Sequence, residues 1–576
     1  MFPAFSANLT RPEGVAAEFG WVDYLLFALT LVISALIGVY FAFFDPKRQN
    51  TRDGYLMGGR TMGIFPISMS LIASYISGIS LLAIPAEMYV YGTQYWVAVT
   101  SDILASLTMA FIYLPVFYQL KIVSSYEYLE LRFSRPVRLF GSVVFLIKMM
   151  LYIPIVIYVP ALAFSQVTGF NLHLVTPVVC IVCIFYTMLG GLKAVVWTDA
   201  LQTVLMFGGV TVVMILGTVY VGGPAAVWQR AIDGERIEFF KLSLDPTERH
   251  TIWSVVIGNY ASVLAAFAVN QAMVQRALAM SSIRKAKITI GILAIGLACI
   301  VSMCCYTGLV IYATFFVCDP ISTKQIGKAD QLLPHFVMAI SKGIPGLPGL
   351  FMAGVFSAAL SSMSTGLNSM TGIIFEDLIR PCVKKPISEA RASFIMKVMV
   401  ALIGALCVAL VFLVEKLGTL LQAGRSLSSI TAGPLLGVFS LGLLFPWANG
   451  KGALVGGITS MLLVGWISVG SQTAIAGGTL YFETKPTSIA GCPEMPTVAP
   501  ASLPRSEAFV LYQLSYMWYT LVGCATALFV GIITSFITGA TRVADVDRAF
   551  LSPAVHWLLP SQKEGAEMEM PKRKDP

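Results

Sequence analysis

The chain is short of charge. Only 12% of its 576 residues are Asp, Glu, Lys or Arg, about half the roughly 25% of an average soluble protein. Hydrophobic residues make up 57%, and the mean hydropathy is +0.79. Too few solvated side chains are present to cover several water-soluble domains. The +8 balance, 38 Lys and Arg against 30 Asp and Glu, is dispersed rather than gathered into a basic stripe, which argues against a nucleic-acid partner. Histidine is scarcer still: His173, His250, His335 and His556 lie far apart and offer no clustered ligand set or acid–base pair for a membrane enzyme. The first 22 residues lack a basic segment leading into an apolar stretch and a small-residue cleavage site. No cleaved signal peptide is expected, and the first apolar run serves as the insertion signal.

Long hydrophobic runs are abundant. A membrane-spanning helix needs about 20 mostly apolar residues, and thirteen runs qualify: 24–44, 64–92, 96–118, 138–164, 174–190, 198–221, 252–274, 286–316, 347–378, 395–415, 417–446, 453–470 and 513–540. Only Glu415 and Lys416 divide the tenth from the eleventh. The expected class is an all-α polytopic membrane protein set in the lipid bilayer. Basic residues follow the first, third, seventh and ninth runs, with Arg276, Arg284, Lys285 and Lys287 after the seventh, and none follow the second or fourth. Lys and Arg favour the cytoplasmic side, so the N-terminus is expected outside and the C-terminus inside. Asn8, in the chain's single N-x-S/T sequon, falls in the external segment and is a candidate glycosylation site. The expected organisation is an extracellular segment 1–22, a transmembrane domain 23–540 and a polar cytoplasmic tail 541–576. That tail either binds cytosolic partners or merely solvates.

Two runs break the helix rule. The second contains Pro66, Gly78 and Pro85 around the polar cluster Ser74-Tyr75-Ile76-Ser77-Gly78-Ile79-Ser80. Interrupted backbone at membrane depth is tolerated where it faces protein or a watery cavity, and in transporters such breaks supply carbonyls to a cation. Small polar residues also pack helices, so both readings stand. The ninth run carries Ser357 through Ser369, where Ala358, Ser361 and Ser362 share a helix face. Hydroxyls and carbonyls without carboxylates suit a singly charged cation, whereas divalent ions usually demand carboxylates; sodium fits.

Ionisable residues within spans are functional candidates. Asp102 and Lys148 are open to mutual neutralisation. Asp199 is either functional or an interfacial helix cap, and Arg425 either binds a substrate carboxylate or snorkels. Cys318 and Cys492 fall in external loops, as a disulfide or as two free thiols. Cys180-x-x-Cys183, mid-span with no His or carboxylate nearby, reads as packing.

Several motifs together resemble the sodium/solute symporter family: GGLKAVVWTD (Gly190 to Asp199) with Gln202, NQAMVQR (Asn270 to Arg276), LPGLFMAGVFSAALSSMSTGLNS (Leu347 to Ser369) and AGPLLGVFSLGLLFP (Ala432 to Pro446). SSYEYLELRFSRPVRLFG (Ser124 to Gly141) and FEDLIRP (Phe375 to Pro381) resemble its animal branch of sodium-coupled monocarboxylate, multivitamin and iodide transporters. The resemblance spans about residues 22–545 and implies inverted five-helix repeats, runs 2–6 and 7–11, as in the neurotransmitter–sodium symporters. It implies a sodium site of the carbonyls of Ala73, Ile76 and Ala358 with the hydroxyls of Ser361 and Ser362. Asp199 and Ser364 match positions for coupling and a second sodium. Around the break, Ser74, Tyr75, Ser77, Asn270, Gln271 and Arg425 are the candidate substrate contacts. The implied function is symport of a small organic anion, foremost a monocarboxylate, with Na+ as coupling ion, no organic cofactor and no enzymatic activity. A multivitamin or iodide carrier and a transport-inactive sodium sensor are the alternatives. Departures from the branch are Ser357-Ala358-Ala359-Leu360-Ser361-Ser362, where the branch reads S-G-T-L-S-T, and the charges at Lys148 and Arg425.

Overall fold

A computed structural model describes residues 19–45, 51–341, 344–383, 387–416, 420–492 and 508–559, without the side chains of 166 and 414–427. The helices that frame the site are α1 (Trp21–Val39), α2 (Ile64–Tyr75), α3 (Gly78–Tyr91), α4 (Ala98–Thr108), α5 (Arg135–Thr168), α6 (Leu172–Val221), α7 (Asn259–Ala268), α8 (Gln271–Leu278), α9 (Ile283–Thr314), α10 (Leu347–Ile373), α11 (Glu389–Lys416), α12 (Leu420–Leu444), α13 (Gly450–Ala476) and α14 (Tyr519–Ile537). An isolated bridge between Met62 and Met280 is the sole strand-like pairing among the described residues.

Nine helices are long and apolar enough to cross a membrane among the described residues, or eleven when each bent pair counts as one span. The expected count of thirteen is not reached in this way, for two reasons. Runs five and six run on without a loop as α6, 50 residues in which two helices meet at a kink. Laid straight it would be about 75 Å long, far beyond the ~30 Å hydrocarbon core. Gly191, at φ 51° and ψ −150°, breaks it, a conformation that glycine adopts without a side-chain clash. The other shortfall is α12, of which only Ser428–Leu444 registers as a shorter apolar helix. Runs ten and eleven do separate into α11 and α12.

Two spans are broken. α2 and α3 meet at 59°, and the helix pair Ser254–Ala268 and Gln271–Leu278 meets at 54°. Local polar chemistry makes each restart. Ser77 caps α3, its hydroxyl accepting from Ser80 N at 3.2 Å, and Asn270 caps α8, its side chain accepting from Ala272 N at 3.1 Å. Both capping side chains replace an unmet backbone partner at a helix start. α2 and α8 pack on each other, and just outside them Met62 N, before α2, donates to Ala279 O, after α8, at 3.4 Å.

α10 is the most enclosed of the long helices, with every residue from Leu347 to Ile373 buried except Leu350. It packs along α6 and α5 and against both halves of the first broken span. α12, α13 and α14 pack chiefly on one another, with α12 also against α5 and α7.

Candidate functional site

The first break is pressed against α10. A Cβ on Gly78 would lie 2.7 Å from Pro160 Cγ, 3.1 Å from Val355 O and 3.7 Å from Ala359 Cβ, so a residue without a side chain is needed for that approach. α2 ends at Tyr75, and carbonyls of a helix's last turn have no intrahelical partner. Those of Ala73 and Ile76 belong to this stretch. Ala73, Ile76, Ala358, Ser361, Ser362 and Ser364 are all buried. Ser362 Oγ donates to Ala358 O at 3.1 Å and Ser364 Oγ to Ser361 O at 3.1 Å.

Asp199 is no interfacial cap. It is fully buried inside α6, and its Oδ2 accepts from Ser70 Oγ at 2.6 Å and from Arg276 Nη2 at 3.0 Å. Arg276 also donates from Nε to Ser70 Oγ at 2.5 Å, from Nη1 to Ala272 O at 2.9 Å, and to Thr365 Oγ1. Ser74 completes the network, meeting Thr365 Oγ1 at 2.9 Å and donating to Ser70 O at 2.6 Å. One guanidinium therefore ties α8 to α2, α6 and α10. The other carboxylate oxygen, Asp199 Oδ1, and Ser361 Oγ are both buried, and the two side chains are close enough for the hydroxyl to donate to the carboxylate. The two oxygens lie between the packed helices α6 and α10. Their chemistry, one carboxylate oxygen and one hydroxyl among backbone carbonyls, fits a small monovalent cation.

The basic-residue pattern places Arg276 in a cytoplasmic loop. It is instead 1% exposed. Nothing in its local sequence distinguishes it from Arg284 and Lys285 a few residues on; only the fold brings it to Asp199, 77 positions away. Ser70 and Thr365 are likewise absent from the site expected from sequence.

The expected substrate contacts divide. Ser74 and Tyr75 lie at the break and are half-buried, and the Tyr75 ring meets Phe267 edge-on at 5.0 Å. Ser77 and Asn270 serve as caps. Gln271 is turned into the scaffold, accepting from Ser125 N at 2.7 Å and Ser125 Oγ at 2.8 Å and donating to Val123 O at 2.8 Å. The Arg425 side chain and Asn8 lie outside the described residues. No ion pair joins Asp102 to Lys148 among the described residues, so the two do not neutralise each other by contact.

The motifs around residues 124–141 and 375–381 build an ionic knot. Arg138 pairs with Asp377 at 2.5 Å and Glu130 at 2.6 Å. Ser124 and Ser142 donate to Asp377 at 3.0 and 2.5 Å, and Arg52 pairs with Glu376 at 2.9 Å. Cys318 and Cys492 are joined in a disulfide. Arg249 grips Glu87 at 2.6 and 3.2 Å, linking the C-terminal part of α3 to the segment that precedes the second broken span.

A model of the Sodium:solute symporter family matches residues 55–460. The chain belongs to that family. It is 39% identical to Sodium-coupled monocarboxylate transporter 2 of Mus musculus over 535 residues, 92% of this chain and 86% of that protein. It is also 39% identical to the Sodium-dependent multivitamin transporter of Oryctolagus cuniculus, over 95% of this chain and 87% of that one. The solved structure of a Na+-coupled sialic acid symporter, in a substrate-bound outward-open state, matches with a TM-score of 0.76 at 25% identity, covering 91% of this chain and all of that one. This symporter is thus a multi-pass membrane transporter, not an enzyme, and Na+ is its coupling ion. Its broken helices belong to the fold shared with the neurotransmitter–sodium symporters.

Proposed function

We propose that this symporter imports a small monocarboxylate across the plasma membrane by alternating access, with its N-terminus outside, a transmembrane domain over 23–540 and a cytoplasmic tail over 541–576. The observation that supports the sodium part of this reading is the close packing of the first break on α10 at Gly78, Val355 and Ala359, with Ala73, Ile76, Ala358, Ser361 and Ser362 all buried. The carbonyls of the first three and the hydroxyls of the two serines hold one sodium ion. Asp199 Oδ1, with Ser361 and Ser364 nearby, supplies a second position, where the half-neutralised carboxylate adds charge that the hydroxyls lack. The monocarboxylate assignment is supported by the named activity of the relatives.

Sodium entry supplies the work. A charge crossing about 60 mV contributes ~1.4 kcal/mol, from about 2.3 kcal/mol per 100 mV, and a tenfold gradient contributes ~1.4 kcal/mol more. One ion therefore supports roughly hundredfold accumulation of a neutral solute. For a monovalent anion one sodium is electroneutral, so the membrane potential contributes only when a second ion moves. Cation bound between the break and α10 would hold the two together, shape the space around Ser74 and Tyr75 for the anion, and release it inside when α2 and α10 part. That parting requires the Arg276 network to open.

Uptake of labelled lactate, pyruvate, butyrate, biotin, pantothenate and iodide by cells expressing the chain, with and without sodium, tests the reading. Sodium-dependent monocarboxylate entry that is lost in Ser361→Ala/Ser362→Ala is the expected result. Entry of biotin or pantothenate alone would move the substrate to the multivitamin class, which the 39% identity to the rabbit transporter also favours. Uptake indifferent to sodium would refute symport.

A further inference from the structure

A groove of about 420 Å3 opens on the flank of the bundle, between Pro136, Val143 and Ile147 of α5, Ile430 and Thr431 of α12, and Met461 of α13. α5 and α13 are long and apolar enough to cross a membrane, and Val143 and Ile147 are 43% and 51% exposed, so the groove faces the hydrocarbon. Its one hydroxyl, Thr431 Oγ1, donates within its own helix to Ser428 O at 3.2 Å, which leaves nothing to hold a polar solute. The three helices meet at one end. A Cβ on Gly442 of α12 would lie 3.1 Å from Phe133 Cε2, and one on Gly450, at the start of α13, would lie 3.1 Å from Ser134 Oγ, just before α5. From that end Ile147, Ile430 and Met461 stand eleven or twelve residues along their helices, a rise of about 17 Å at about 1.5 Å per residue. That is close to the depth of one leaflet, half of the ~30 Å hydrocarbon core.

Two exposed cations stand at the same end. Arg135 follows Ser134 and Lys451 follows Gly450, and neither enters an ion pair or a side-chain hydrogen bond among the described residues. An apolar slot one leaflet deep, headed by two unmatched positive charges, complements a hydrocarbon chain with an anionic head. We infer that this groove binds an anionic phospholipid, one acyl chain against α5, α12 and α13 and its phosphate headgroup between Arg135 and Lys451. Basic residues mark this end as cytoplasmic in the topology proposed above, and that is the leaflet whose surface anionic lipids make negative. The bound chain fills the seam between α5, which packs along α10, and the helices α12 and α13.

The test is native mass spectrometry of the full chain, purified in detergent and titrated with phosphatidylserine or phosphatidylcholine of identical acyl chains. One phosphatidylserine is expected to bind at least tenfold more tightly than phosphatidylcholine, which offers the same chains without net headgroup charge. Arg135→Gln/Lys451→Gln should erase that preference, since each basic side chain is worth about fivefold for an anionic lipid, and should leave phosphatidylcholine binding as it was. Val143→Trp, which plugs the groove from its open side and keeps both cations, should weaken both lipids at least tenfold. Added phosphatidylserine should also raise the thermal-unfolding midpoint of the unmodified protein, a shift absent in Val143→Trp. Equal affinity for the two lipids in the unmodified protein overturns the inference, whatever becomes of the variants. So does a preference that survives the double substitution, or phosphatidylserine binding that Val143→Trp leaves unchanged. Cholesterol that displaces phosphatidylserine at equal concentration, or a dimer that binds no lipid, gives the groove to another occupant and overturns it too. Each of these results leaves sodium-coupled transport standing.

Discussion

Gly78→Ala isolates the contact between the first break and α10. The new methyl would sit 2.7 Å from Pro160 Cγ and 3.1 Å from Val355 O. The backbone oxygen belongs to a fully enclosed helix and the proline ring to α5, so neither yields as the tip of a flexible side chain would. Overpacking of this kind costs about 1–3 kcal/mol. The least resisted relaxation moves α3 away from α10 and draws the Ile76 carbonyl from Ala358. If that strain falls on the ion site, sodium affinity drops by about 5- to 150-fold, since 1.4 kcal/mol is about tenfold. The assay is the sodium concentration that half-activates uptake, at matched surface expression. Gly208→Ala is the control, because nothing lies within 4 Å of a Cβ there. A half-activating concentration in Gly78→Ala within about twofold of the parent, a difference of only ~0.4 kcal/mol, would refute the assignment of this contact to the sodium site.

Arg276→Met should destabilise the protein in detergent by about 3–5 kcal/mol, because it leaves the Asp199 carboxylate buried without its cation; adding Asp199→Asn should restore much of that loss. A thermal-unfolding double-mutant cycle measures it, and an unchanged midpoint for Arg276→Met would contradict the buried pairing. In the loop before the second broken span, burial pushes the His250 imidazole down to about 4. Glu87, 3.3 Å away, would favour protonation, but Arg249 already holds that carboxylate. The folded protein therefore binds fewer protons here than the unfolded chain between about pH 6.5 and 4. The stability this confers is complete above pH 6.5 and lost as pH falls through that window, roughly 3 kcal/mol at 1.4 kcal/mol per unit. The unfolding midpoint should fall on acidification across this range, and His250→Gln should flatten the slope; equal slopes would refute the account.

Much of the site is legible in the sequence because the relevant signals are local. Polar residues interrupting an apolar run announce the broken second span, and helical spacing alone puts Ala358, Ser361 and Ser362 on one face. The second break is less visible: Val269 and Asn270 carry no glycine or proline to mark it, and its cap is recognisable only once the helix directions are known. Gln271 stands out as an intramembrane amide, yet its partners Ser125 and Val123 lie about 146 residues away in sequence and turn it from the site into the scaffold.

By itself the sequence determined that this chain must live in a bilayer, where its helices lie along the chain, and which hydroxyls and carbonyls could meet a sodium ion. Those follow from hydropathy and from the 3.6-residue period, which need no knowledge of neighbours. Only the tertiary structure decided the state of the charges. Whether an arginine is a loop cation or the buried counterion of Asp199, and whether Asp102 and Lys148 cancel or stand apart, depends on distances between helices distant in sequence. Inside a low-dielectric bundle, those distances decide whether a charge finds its counterion within the protein.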